Sequence, residues 1–100
     1  MKTGYPILGL KIALQKALDF IKVIESNGYD SVAGNCSSFH FEKEIDKDRS
    51  FFLVVHTQMS GYVRADLIYR EANDKKEKYL CCEANELDQK IKDAEKGFLF

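Results

Sequence analysis

The sequence predicts an α+β fold: an N-terminal helix, an antiparallel meander of three to four strands, and a short C-terminal helix packed on the sheet. Three observations carry that prediction. Apolar residues recur at helical spacing between Leu10 and Glu25. Further on, the runs starting at Phe39, Phe51 and Tyr62 carry apolar residues at every second position or on both faces. The segments joining these runs are short and polar, which favours antiparallel neighbours over crossovers.

Met1 to Pro6 reads as an irregular lead-in, because Pro6 biases Tyr5 towards an extended backbone. The first helix follows. Leu10, Ala13, Leu14, Ala17, Leu18, Ile21 and Ile24 form its apolar stripe with Phe20 at the margin, and Lys11, Gln15, Lys16, Asp19, Lys22 and Glu25 fall opposite. The expected core contact sets Leu14, Leu18 and Ile21 on Leu53, Val55 and Leu67. Ile12 and Val23 project into the polar arc as a candidate second contact strip. Asn27-Gly28 ends the helix, since glycine adopts the left-handed conformation of a C-terminus at least cost.

Tyr29 to Ser38 is small, polar and glycine-punctuated, compatible with a loop or with a short edge strand turned at Gly34-Asn35. In the next strand Phe39 and Phe41 alternate with His40 and Glu42, and Ile45 continues the phenylalanine face. After a polar turn at Asp46 to Arg49, Phe51 to Met59 is the central strand. Phe51, Leu53, Val55, Thr57 and Met59 line one face, and Phe52, Val54, His56 and Gln58 the other, so its first half calls for cover on both sides. Ser60-Gly61 turns the chain into the Tyr62 to Ala72 strand, where Tyr62, Arg64, Asp66, Ile68 and Arg70 share the wetter face. Asn73 to Glu77 reads as a turn and Lys78 to Glu83 as a last strand, with Tyr79 and Cys81 opposing Leu80 and Cys82. Asn85 is the candidate N-cap of a final helix whose apolar line is Leu87, Ile91 and Ala94, ending at Gly97. Phe98-Leu99-Phe100 is apolar enough to need cover from the sheet or from another molecule.

Residues 1–100 are the length of one domain with a core of its own. Fifteen basic and sixteen acidic residues give a net charge of -1, which supplies no long-range attraction to nucleic acid or anionic membrane. No apolar run reaches membrane-spanning length and no signal-peptide pattern opens the chain, so the expected compartment is cytoplasmic. Three cysteines, two of them adjacent, make no disulfide framework, and Cys36, Cys81 and Cys82 are read as reduced thiols.

Little in the chain points to chemistry. Cys36, Cys81 and Cys82 with His40 and His56 are the only thiols and imidazoles, and no catalytic-cysteine pattern surrounds them. Cys82, just ahead of the last helix, is the one placed where backbone amides lower a thiol pKa. Paired metal-ligand spacings are absent, the glycines are isolated, and the carboxylates sit among mixed charges, so neither catalytic residue, metal nor cofactor is expected. A helix, a meander and a second helix resembles double-stranded-RNA-binding domains in element order alone. Those domains bring a basic helix start to phosphates, whereas Asn85-Glu86-Leu87-Asp88 stands here, and Asp74 and Glu77 dilute the basic Lys75, Lys76 and Lys78.

The function expected on these grounds is non-enzymatic protein binding, as an inhibitor of another macromolecule of the toxin-neutralising immunity or phage anti-defence type. The alternatives are a nucleic-acid-associated or regulatory protein and, third, a small-ligand domain or enzyme. Tyr62, Arg64 and Arg70 are the candidate partner-binding residues, because aromatic and arginine side chains favour interface centres. Ile12, Val23, Phe98 and Phe100 are better suited to permanent burial in a monomer or homodimer.

Overall fold

Two helices lie on one face of a five-stranded antiparallel sheet, and the other face carries no second layer among the described residues. The structure, a computed structural model, describes residues 4–34, 38–58, 60–81 and 83–97. The elements are α1 (Gly4–Ser26), β1 (Asp30–Gly34), β2 (Ser38–Asp46), β3 (Arg49–Thr57), β4 (Val63–Glu71), β5 (Asp74–Cys81) and α2 (Ala84–Glu95). Strand order in the sheet is chain order, so β3 is central. The α+β meander between two helices is as expected, with five strands in place of three to four. The additional strand is β1, which resolves the ambiguous segment after Gly28, and β5 begins at Asp74, inside the expected turn.

Period-two alternation sorts the faces. Phe51, Leu53 and Val55 of β3 pair with Tyr69, Leu67 and Ala65 of β4, and Leu53 also faces Phe41 of β2. These residues form the inner layer with Val63, and all except half-buried Tyr69 are buried. Ile45, at the end of β2 where the register slips between Glu44 and Asp46, is exposed but lines the same groove as inner-face Phe51 and Tyr69.

From α1 the residues lowered onto this layer are Ala13, Ala17, Phe20 and Ile24, each at most 1% exposed. Leu14 and Leu18, expected in the core, are 43% and 51% exposed, while Ile21 reaches the core margin. The physical reason is that α1 must face the sheet and α2 together. Val23 is half-buried, and the Asn27 side chain donates to Asp88 of α2 at 2.9 Å. Turning that flank towards α2 brings Phe20 from the stripe's margin to its centre and lifts Leu14 and Leu18 into water. The two alanines also let the helix backbone approach the sheet closely.

The helix ends follow the local chemistry with two corrections. Helix α1 begins at Gly4, not after Pro6, since first-turn amides have no intrahelical acceptor and proline is tolerated there. Gly28 (φ +89) closes it as expected. In α2 the capping position is Glu83 rather than Asn85. Glu83 still has the extended backbone of the chain leaving β5 and makes no side-chain cap bond, leaving Asn85 inside the first turn.

Turns set the register. Asp46 Oδ1 accepts from the Asp48 and Arg49 amides at 2.9 Å each, and its Oδ2 from Arg49 Nε at 2.8 Å, which holds its carboxyl below the usual range. Gly61 (φ +96) closes the β3–β4 turn, where the Gln58 amide donates to the Tyr62 carbonyl at 2.9 Å. The β4–β5 connection is Ala72-Asn73, and Ala72 is the one non-glycine residue with positive φ (+53) among those described. An L side chain pays a steric penalty there that glycine lacks. Ala72→Gly is therefore expected to raise stability by about 0.5–1 kcal/mol, read from denaturant midpoints. The Ala72 amide's bond to the Asp48 carbonyl, at 2.8 Å, is main-chain and stays intact.

Candidate binding face

The uncovered face of the sheet is built by the alternate residues of the same strands. Four cross-strand rows run over it: Ser38, His56 and Arg64; His40, Val54, Asp66 and Tyr79; Glu42, Phe52, Ile68 and Glu77; Glu44, Ser50, Arg70 and Lys75. Arg64 and Arg70 share this face as expected. They lie six residues apart on one strand, about 20 Å at ~3.4 Å per residue, so they mark its two ends. Tyr62 precedes β4 beside the Arg64 end and is 42% exposed.

Neither arginine is a loose charge. Arg70 lies over the Phe52 ring with its guanidinium carbon 5.0 Å from the centroid, a cation–π contact that shields the ring. Arg64 Nη2 stands 3.3 Å from Asp66 Oδ2, and His56 Nε2 approaches the same oxygen at 3.2 Å. Asp66 is thus held between two partners from β3 and β4, which fixes both side chains against the sheet. On β2, Ser38 Oγ and His40 Nε2 are 3.1 Å apart.

The strand centre expected to need a second covering layer obtains shelter another way. Val54 is buried and Phe52 half-buried by their own cross-strand neighbours, Arg70 among them. Tyr79 and Val32 remain exposed at the two margins of the sheet. Alternation set Phe52 and His56 on one face of β3 and Asp66 with both arginines on one face of β4, but it did not single out Phe52, His56 and Asp66 as site residues, because the register that lays those two faces side by side is not expressed along one strand.

The face gathers hydroxyls, two imidazoles and several carboxylates, with His40 bonded to Ser38 and His56 beside Asp66. Among the described residues no group of three or more histidine, cysteine, aspartate or glutamate side chains is spaced to hold a metal ion. The Cys81 thiol is buried and donates to the Glu83 carbonyl at 3.3 Å; Cys36 and Cys82 lie outside the described residues. Of the apolar set, Ile12 is exposed and Val23 packs against the core margin, while Phe98 and Phe100 lie outside the described residues.

A concavity of about 210 Å³ opens on the sheet face beside Arg64, Asp66, Glu77 and Tyr79, and two more lie on the helix side. A groove of about 500 Å³ between α1 and the start of α2 is lined by Lys16, Asp19, Phe20, Val23, Ala84 and Asn85. A second, of about 250 Å³, lies where the end of α2 meets the sheet, by Ile45, Phe51, Tyr69 and Ala94. Among the described residues no helix is long and apolar enough to cross a membrane. No protein-family model, curated protein or solved structure matches the chain.

Proposed function

We propose that this protein is a non-enzymatic binding module that engages another protein through the open face of its sheet, acting as an inhibitor of that partner. The observation carrying the proposal is the uncovered sheet face with its fixed Arg70–Phe52 stack and its Arg64–Asp66–His56 group. With four interstrand spacings of ~4.8 Å and nine-residue strands of about 30 Å, the face offers on the order of 600 Å², close to the ~800 Å² a standard interface takes from each partner. Arginine and aromatic side chains held in place before binding lose little conformational entropy on docking. A partner matched to it would set a carboxylate on Arg64 or Arg70 and apolar atoms on Phe52, Ile68 and Tyr79. Immunity proteins and phage anti-defence proteins are the kinds of inhibitor that a small, near-neutral binding domain fits.

The test is to purify the tagged protein from its native host, identify what accompanies it, and measure the reconstituted complex by calorimetry. Arg64→Ala and Arg70→Ala are each expected to weaken it by more than about 1 kcal/mol, roughly fivefold, while changing unfolding midpoints little. Full affinity in the Tyr62/Arg64/Arg70 triple alanine variant rejects the sheet-face assignment. Nucleic acid in place of a protein partner rejects the function itself.

A further inference from the structure

Helix α1 leaves an ordered apolar line in water, on the side of the molecule away from the open sheet. Lys11, Leu14, Leu18, Ile21 and Glu25 follow one another at intervals of three and four residues, the spacing of a helix–helix seam. Leu14 and Leu18 are 43% and 51% exposed, and Ile21 touches the core only at its margin. Lys11 and Glu25 are exposed and take part in no ion pair among the described residues. Helix α2 does not cover this line, because it sits against the opposite flank, where Val23 lines the groove with Ala84 and Asn27 bonds Asp88.

We propose that this line is a homodimer seam in which α1 of a second copy packs antiparallel about a twofold axis passing beside Leu18. The line is self-complementary, as an isologous interface requires. Its N-terminal end is a lysine, its centre is leucine and isoleucine, and its C-terminal end is a glutamate. Antiparallel pairing about Leu18 sets Leu18 on its own copy, Leu14 near Ile21 of the second copy, and Lys11 near Glu25 of the second copy at both ends. Parallel pairing would instead set lysine on lysine and glutamate on glutamate. The antiparallel arrangement also opposes the two helix dipoles. Lys11 and Glu25 lie fourteen positions apart, about 21 Å of helix, within the 23 residues α1 provides. Pairing through the helices leaves both sheet faces outward, so this inference stands apart from the proposed function.

Sedimentation velocity of the full chain between about 1 and about 100 µM tests it, a range in which a modest seam is expected to shift from monomer to dimer. Leu18→Glu, which sets two carboxylates on the axis, is expected to leave a monomer with unchanged circular dichroism and thermal midpoint at low concentration. Lys11→Glu and Glu25→Lys are each expected to weaken self-association about tenfold, because two attractive contacts become repulsive in each. Combining them restores both pairs with the signs exchanged and is expected to return the dimer to within about threefold of the parent. A chain that stays monomeric throughout, a dimer indifferent to Leu18→Glu, or a double variant as weak as either single one overturns the seam. Any of those results leaves the stripe to another occupant.

Discussion

Phe20→Ala is expected to cost about 3–5 kcal/mol, the largest loss from any single truncation on α1. Phe20 is 1% exposed and stands with Ala13, Ala17 and Ile24 between the helix and the central strands. Ala13 and Ala17 beside it are too small to fill the space its ring would vacate. Leu18→Ala on the same helix is expected to cost less than about 1 kcal/mol when measured at low protein concentration, because Leu18 is 51% exposed and its removal opens no cavity. Denaturant unfolding followed by circular dichroism measures both. The opposite order, with Leu18 costing more than Phe20, would mean that α1 is rotated about its axis by roughly half a turn of its apolar arc.

Ile91→Ala is expected to cost about 2–5 kcal/mol and to release α2 before the rest of the fold. Helix α2 has twelve residues, too few to persist alone in water, and its only buried side chains are Leu87, Ile91 and Ala94. Its remaining ties are polar and lie at the junction with α1 and β2. Lys92 donates to Asp88 and, second, Asn27 donates to it, and these bonds hold the Asp88 carboxyl below its usual range. Lys43 Nζ donates to Glu95 at 3.1 Å and to the Asn27 carbonyl at 2.9 Å, and lies 5.6 Å from the centre of the Tyr29 ring. Burial, and then the Glu95 carboxylate, push the Tyr29 hydroxyl far above the usual tyrosine range, so it stays protonated while packed there. Half-buried polar ties of this kind position a helix but replace little of the lost apolar burial. Hydrogen exchange is the measurement: in Ile91→Ala the α2 amides should lose protection while those of β3 and β4 keep theirs. Equal loss in all three elements would show that α2 and the sheet unfold as one unit.

Most of the elements were legible because their signals are local. The break at Asn27-Gly28, the turn at Gly61, the alternation of Phe51, Leu53 and Val55, and the Leu87-Ile91-Ala94 line each depend on residues within a few positions of one another. The candidate face was partly legible for the same reason. Alternation along β4 placed Arg64 and Arg70 together, but their partners Phe52, His56 and Asp66 depend on cross-strand register, which a list of single residues does not express. Strand β5 was misread over Asp74 to Glu77 because that stretch is charged on both faces, and only pairing with β4 makes it a strand. The lysines there suit an edge, since they discourage a further strand from adding.

By itself the sequence determined the α+β class, the antiparallel order, the inner face of the central strands and the two helices flanking them. These follow from hydrophobic period and turn chemistry, which act over a few residues. Only the tertiary structure decided which part of the α1 stripe is buried, because that stripe is wider than the surface available to receive it. Placing α2 on the same side of the sheet turned α1 towards Phe20 and left Leu14 and Leu18 outside. The same packing put both helices on one sheet face, so the shelter of Val54 and Phe52 on the other came from neighbouring strands and not from a second layer.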